Sequence, residues 1–202
     1  MLYCLSIVKK EVIIIKKHRT LDLEKVIRAA TEIINKEGLR ALTMPRLADF
    51  LSVRSQSLYH YVANRRELLS IICARRLAIL KEELVHHLVG LSGQEALFTF
   101  ADVIKNFLLN DYAVSSIFYN AEEIGQDMRV RKEVNEIVKL GEKLEVDQKN
   151  IVSLQGLLAA VMGYVFLDRS KLFIDEDETT AKNNYHQLLL RLVGPKVKTK
   201  QN

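Results

Sequence analysis

Helical periodicity runs along most of this chain and constrains its fold more than any other feature. The 202 residues include only 2 prolines and 8 glycines, so long helices can form without interruption. No set of segments shows the apolar–polar alternation that several strands would require. Apolar residues make up 49% of the chain, which is enough for a sizeable core. The sequence therefore predicts an all-α fold.

The first third of the chain predicts four helices separated by short turns. Apolar residues between Asp22 and Glu37 recur at the spacing of an amphipathic helix, with Asp22 as N-cap and Gly38 as a left-handed stop. Thr43 is the predicted N-cap of a short second helix. A tight turn at 52–55 leads to a third helix at 56–62, and Asn64 is the predicted N-cap of a long fourth helix.

The third helix carries the residues that point to a function. Ser55 is its predicted cap, Leu58 and Val62 lie four residues apart and are predicted to face inward, and Gln56 and His60 are predicted to face outward. Two short helices joined by a tight turn form a helix-turn-helix unit. Seven residues span roughly 10 Å, which fits a DNA major groove about 12 Å wide. The predicted DNA-contacting residues are Thr43, Arg46, Arg54, Ser55, Gln56, Ser57, Tyr59, His60, Tyr61 and Arg65.

The distribution of charge agrees with a DNA-binding front. Residues 1–66 hold 13 lysines and arginines against 6 aspartates and glutamates, whereas residues 67–202 hold 17 against 19. A basic front and a near-neutral rear indicate that the front third meets a polyanion.

The segment from Leu21 to about Leu80 resembles the DNA-binding domain of the tetracycline repressor (TetR) family. The residues that carry the resemblance are Gly38, Thr43, Leu47-Ala48, Leu51, Val53, Leu58-Tyr59, Tyr61-Val62, Asn64 and Glu67-Leu68-Leu69. One departure is Ser52, where the family usually has glycine. Another is the order His60-Tyr61, which varies within the family, so no operator sequence can be carried over. The resemblance implies an amino-terminal helix-turn-helix domain followed by a helical domain for ligand binding and dimerisation.

The rear of the chain continues the helical pattern. A predicted helix at 128–140 is followed by a polar connection at 141–149, a nearly all-round apolar helix at 150–167 and a last helix at 179–193. An all-round apolar helix must be covered on nearly all sides, which a second subunit can do. The resemblance favours a homodimer in which the last two long helices of each chain pair into a four-helix bundle. The predicted interface residues are Gly156, Ala160, Gly163, Leu188, Leu189 and Leu192. In the family a small molecule in the rear domain releases the dimer from its operator, and the chain is expected to behave in this way as a repressor.

Aromatic residues in the rear domain are the predicted lining of a ligand pocket. These residues are Phe98, Phe107, Tyr112, Phe118, Tyr119 and Tyr164. Drug-responsive relatives hold a magnesium–drug chelate with histidines, but the matching positions here are Asp111 and Lys81. No ligand-binding residue is therefore carried over, and the effector stays unidentified.

Other functional classes find no support in the residues. The sequence has no catalytic motif, His86 and His87 point about 100° apart on a helix, and Cys73 has no partner motif, so we expect no enzyme, metal site or cofactor. No run is long enough to span a membrane, and the two cysteines indicate a reducing compartment, so a cytoplasmic location is expected. Two alternatives remain open: a regulator that needs no small ligand, and an activator instead of a repressor.

The sequence divides into four predicted parts: an extension at 1–20, the DNA-binding domain at 21–66, the ligand-binding and dimerisation domain at 67–195, and a basic tail at 196–202. The extension is either an arm that follows the DNA backbone through its lysines or a product of an upstream start codon.

Overall fold

The structure, a computed structural model, describes residues 21–120, 122, 124–144, 153–171 and 177–193. The predicted extension at 1–20 and tail at 196–202 lie outside these residues, as does the predicted start of the apolar helix at 150. Within the described part the regular structure is entirely helical, which confirms the all-α prediction. The α-helices are α1 Leu23–Glu37, α2 Met44–Leu51, α3 Ser55–Leu58, α4 Arg65–Leu88, α5 Gly93–Asn110, α6 Tyr112–Tyr119, α7 Met128–Glu142, α8 Leu154–Arg169 and α9 Glu178–Val193.

Three predicted N-caps are confirmed by side-chain hydrogen bonds to the first turn of a helix. The Asp22 carboxylate accepts from the backbone N–H of Lys25, and the Thr43 hydroxyl accepts from that of Arg46. The Asn64 side chain accepts from the N–H at the third position of α4. Gly38 ends α1 with φ 88°, a left-handed conformation that glycine adopts without a Cβ clash. Local sequence chemistry therefore sets the limits of these helices.

The third helix is shorter than predicted, and its predicted cap is wrong. Helix α3 covers only Ser55–Leu58, and Arg54 takes the N-cap position with an extended backbone and no side-chain cap. Beyond Leu58 the chain continues as a tight turn, in which the N–H groups of Tyr61 and Val62 donate to the Leu58 carbonyl. A tight turn of this kind often ends a helix, and it keeps residues 59–62 beside the helix without extending it.

Helix α4 is the central element of the fold. It packs mainly against α7 and α5, and α5 in turn packs against α8. Helix α6 contacts both α4 and α1, so the rear helices touch the amino-terminal domain directly. The predicted boundary at 66–67 falls inside the first turn of α4, which links the amino-terminal domain to the rest of the chain.

The polar connection predicted to begin at Gly141 begins later. Gly141 is buried inside α7, where an added Cβ would lie 2.9 Å from the Leu154 methyl carbons and 3.0 Å from Phe100 Cζ. The absence of a side chain therefore permits the close approach of α7 to α8 and α5. The predicted helix end at Gly141 is therefore wrong, because a single sequence does not distinguish a glycine that ends a helix from a glycine that permits close packing.

Candidate DNA-binding site and apolar cavity

A left-handed residue sets the turn between α2 and α3. Ser52 has φ 55° and ψ 42°, and its N–H donates to the carbonyl of Asp49. The next N–H, of Val53, donates back to the carbonyl of Ala48 at 3.0 Å. This pair of bonds closes the helix end in a Schellman motif, which usually has glycine at the left-handed position. Ser52 therefore occupies the place where a glycine would fit with less strain.

The inner and outer sides of the α3 segment are arranged as predicted. Leu58 is 0% exposed and Val62 is 2% exposed, which confirms that both anchor the segment to the core. Gln56, His60 and Tyr59 are exposed, with the Tyr59 ring 52% accessible. An amide, an imidazole and a phenol hydroxyl on one short segment offer both donors and acceptors to a partner.

The remaining predicted DNA-contacting residues differ in solvent exposure and in the hydrogen bonds that their side chains already form. Arg54 is exposed at the start of α3, Ser55 and Ser57 are half-buried, and Thr43 is exposed although its oxygen caps α2. Arg46 donates two hydrogen bonds to Glu37, of 3.1 Å and 2.6 Å. Its charge is therefore already paired within the protein.

Two residues of the predicted set act inside the fold. The Tyr61 hydroxyl donates to the backbone carbonyl of Leu21, which ties the α3 segment to the start of α1. The Arg65 guanidinium donates to the carbonyls of Leu42, at 2.7 Å, and Leu39, at 3.1 Å. The polar ends of Tyr61 and Arg65 are thus directed at backbone carbonyls, and contact of these two residues with DNA stays a prediction. Arg66 is exposed instead, and the structure shows no ion-pair partner for it among the described residues.

A chain of polar contacts joins the start of α4 to the start of α7. The Glu67 carboxylate accepts from the N–H of Ala63 at 2.6 Å, and it lies 3.5 Å from Arg129. Arg129 also donates two side-chain hydrogen bonds to Asp127, the N-cap of α7. Hydrogen bonding from Arg129 lowers the pKa of Asp127 to about 2. Ala63, which precedes the N-cap of α4, is thereby linked to the first turn of α7.

Two further ion pairs fix α4 to other helices. Arg75 pairs with Glu24 of α1, and Arg76 pairs with Asp111, the N-cap of α6. Together with the contacts of Glu67 they connect α4 to the amino-terminal domain, α6 and α7. A displacement of α4 must therefore disturb contacts at several points.

An apolar cavity of about 200 Å³ lies between α4, α5, α6, α7 and α8. The residues that line it are Leu77, Leu80, Ile104, Leu108, Phe118, Val134, Ile137, Val138, Leu158 and Met162. All of them are apolar, and only one is aromatic. Sequence reasoning missed the aliphatic ones, because leucines, isoleucines and valines at helical spacing are indistinguishable from ordinary core residues.

Only Phe118 of the predicted pocket residues lines this cavity, so the prediction of an aromatic pocket is wrong for it. Arg76 lies over the Phe107 ring at 5.4 Å, and Arg169 lies over the Tyr112 ring at 5.2 Å. The rest serve packing and hydrogen bonding. The Tyr119 hydroxyl donates to the Met162 carbonyl, the Tyr164 ring lies tilted against the Tyr185 ring with centroids 4.7 Å apart, and Phe98 packs half-buried against the core.

The predicted dimer face divides into residues that are accessible and one that is not. Gly163 is exposed with open space beside it, and Leu188 is 40% exposed. Phe166, which was not in the predicted set, is 49% exposed on α8. Gly156, Ala160 and Leu192 are half-buried. Leu189 is 0% exposed and belongs to the core of its own chain, which leaves it no surface for a partner. Helix α8 thus buries one side within the chain and leaves apolar surface on another.

The described residues include one cysteine, Cys73, and several histidines and carboxylates. They contain no grouping of three histidines, cysteines or acidic residues that could hold a metal ion. Cys73 is fully buried, and burial raises the pKa of its thiol to about 12, so the reactive thiolate does not form near neutral pH. Across the same residues, each helix is too short or too polar to cross a membrane.

Comparison with known proteins finds sequence similarity in the amino-terminal domain. Residues 26–71 match the model of the bacterial regulatory proteins of the TetR family. The chain is 43% identical over 56 residues to the HTH-type transcriptional repressor DrrR1 of Streptomyces coeruleorubidus. That match spans 28% of this chain and 21% of the relative, so it concerns the amino-terminal domain alone.

Solved structures share the fold over most of its length. BioQ of Mycobacterium smegmatis has a TM-score of 0.62 and 21% identity, over 86% of this chain and 96% of that one. A structure of BioQ with its natural double-stranded DNA operator has a TM-score of 0.52 and 24% identity, over 84% and 96% of the two chains. These similarities show that the rear helices, like the first three, follow the fold of these structures.

Proposed function

We propose that this chain, a TetR-family protein by its amino-terminal domain, is a homodimeric DNA-binding repressor that leaves its operator when a small molecule occupies the rear domain. The observation that carries the proposal is the exposed polar surface of the α3 segment, held on buried Leu58 and Val62 within a domain of this family. The BioQ structure in which an operator is bound supports the same use of the fold.

Base recognition is assigned to the exposed side chains and backbone contact to the exposed arginines. Gln56 can form two hydrogen bonds with adenine. Exposed His60 and half-buried Ser57 can form hydrogen bonds with neighbouring base edges. Arg54 and Arg66 lie exposed at the starts of α3 and α4, where their charge is available to phosphates. Selection of bound sequences from random DNA, followed by affinity measurements across a salt series, tests this assignment. A regulator should select one motif and show a steep salt dependence.

Dimerisation is assigned to the apolar surface that α8 and α9 leave uncovered. Exposed Phe166 and Leu188 and the open space beside Gly163 support this assignment, since a helix with small residues permits close approach of another. Phe166→Glu should convert the dimer to a monomer in sedimentation-velocity experiments. The matched control is Val89→Glu at a residue 76% exposed after α4, which should leave the dimer intact.

Release from DNA is assigned to a shift of α4 relative to α7. Both helices line the cavity, α4 through Leu77 and Leu80, and α7 through Val134, Ile137 and Val138. A ligand that favours a wider separation of the two helices also displaces Arg129 from Glu67, whose carboxylate accepts from the N–H of Ala63, just before the N-cap of α4. Such a ligand can change DNA affinity only by its difference in affinity for the two states.

A double-mutant cycle tests this coupling without knowledge of the natural effector. Val138→Phe partly fills the cavity in place of a ligand and should weaken DNA binding. Arg129→Ala should reduce that effect, because the link between α7 and Glu67 is lost. Equal effects of Val138→Phe in both backgrounds would contradict the assignment.

A further inference from the structure

We propose that the cavity accepts an uncharged ligand whose enclosed part is a hydrocarbon of roughly eight carbons, bound by shape and apolar contact without a hydrogen bond. This inference rests on the proposed ligand-responsive function and specifies the chemical class of the ligand.

The apolar lining of the cavity is the first reason to expect an uncharged ligand. None of the lining side chains among the described residues can donate or accept a hydrogen bond, and the nearest approach to polarity is the thioether of Met162. A hydroxyl, amide or carboxylate placed inside would lose its water without gaining a partner, which disfavours binding. Water in the cavity finds no hydrogen-bond partner among the lining side chains, so a hydrocarbon displaces only weakly held solvent.

The lysine that follows the lining residue Leu80 is already paired within the protein. The Lys81 ammonium lies 3.0 Å from a Glu133 carboxylate oxygen and in close contact with Glu136, both on α7. A ligand carboxylate or phosphate would have to compete with these two carboxylates for Lys81, which disfavours an anionic ligand at this position.

The size and shape of the cavity set the ligand dimensions. An apolar cavity of roughly 150 Å³ accommodates benzene, so about 200 Å³ corresponds to roughly eight carbons. The lining is aliphatic apart from Phe118, so there is no pair of rings between which a flat ligand could stack. A compact alkyl or alkylaryl group fits this lining better than an extended aromatic system.

A homologous series provides the test. The purified full-length protein is titrated with toluene, ethylbenzene, propylbenzene and butylbenzene, and affinity is taken from the ligand-dependent rise of the thermal midpoint. Affinity should rise about fourfold per methylene and level off near eight to nine carbons, when the cavity is full. Phenol should bind more weakly than toluene, and benzoate more weakly than ethylbenzene.

Variants and spectra assign any binding to the cavity. Leu158→Phe should abolish the response to ethylbenzene, whereas Val85→Phe, at an exposed position of α4, should preserve it. In the unmodified protein, nuclear Overhauser contacts should join ethylbenzene protons to leucine methyl groups of the cavity, a readout that needs no variant to fold. Equal or stronger binding of phenol and benzoate, or contacts to methyl groups elsewhere, would overturn the proposal.

Ethylbenzene also distinguishes a failure of this inference from a failure of the proposed function. Ethylbenzene bound in the cavity without any change in affinity for the selected DNA would contradict ligand-driven release while the ligand class stands. Absence of ethylbenzene binding by a protein that binds DNA specifically would overturn the ligand class alone.

Discussion

The adjacent arginines at the start of α4 have different predicted roles, and this difference can be measured. Arg65 donates hydrogen bonds to the carbonyls of Leu42 and Leu39, which are 1% and 7% exposed as residues. A hydrogen bond from a charged group contributes about 1.5–3 kcal/mol, and water can replace part of it at a half-buried site. Arg65→Ala should therefore lower the free energy of unfolding by about 2–3 kcal/mol.

Arg66 is the matched control, because it is exposed and the structure shows no ion pair for it among the described residues. Arg66→Ala should change stability by less than about 0.5 kcal/mol. It should weaken binding to all DNA sequences, and the slope of log K against log salt should shrink by about 0.9 for the one lost phosphate contact.

Urea denaturation of the two variants, with comparable m-values, gives the stability changes, and fluorescence-anisotropy titrations across a salt series give the DNA slopes. Arg65→Lys should recover only part of the lost stability, because an ammonium lacks the fork of donors that spans two carbonyls. A stable Arg65→Ala protein that loses salt-dependent DNA affinity would refute this reasoning, because the guanidinium would then serve DNA and not the fold.

Three further predictions follow from individual residues. Ser52→Gly should raise the free energy of unfolding by about 1 kcal/mol, since glycine adopts the left-handed φ of 55° without a Cβ penalty; an unchanged urea midpoint would contradict this. Gln56→Ala should relax base preference at one position of the selected DNA by about 1–3 kcal/mol, and unaltered preference would remove Gln56 from base recognition. The pKa of Asp127 is lowered to about 2 from an ordinary value of 3.8, mainly by hydrogen bonding from Arg129, so its stabilising contribution is present above pH about 4 and lost as pH falls towards 2. Asp127→Asn should flatten stability over that interval, and an unchanged pH profile would show that the pair contributes nothing.

Most of the fold could be predicted from the sequence because its signals are local. A capping side chain and the helix it starts are within three residues of each other, as at Asp22, Thr43 and Asn64. The inward direction of Leu58 and Val62 followed from their spacing alone. These features depend on backbone geometry that every helix shares.

The candidate sites were less predictable because they depend on contacts between distant residues. Arg65 contacts carbonyls more than twenty residues away, and no pattern around it shows that its charge is directed into the fold. The aliphatic lining of the cavity looks like core in any single helix, since the space exists only between five helices. The predicted helix end at Gly141 is wrong for a similar reason. The residues that require a glycine there, Leu154 and Phe100, lie on other helices.

The central claim is that this chain reads DNA as a symmetric dimer through the α3 segment. The most direct test is footprinting of the purified protein on its selected DNA, with random DNA as competitor. Two protected half-sites about one helical turn apart are the predicted result, and protection should need more protein with Gln56→Ala but not with Val89→Glu. Binding with no preference over random DNA, or a single protected half-site with no two-fold symmetry, would contradict the claim.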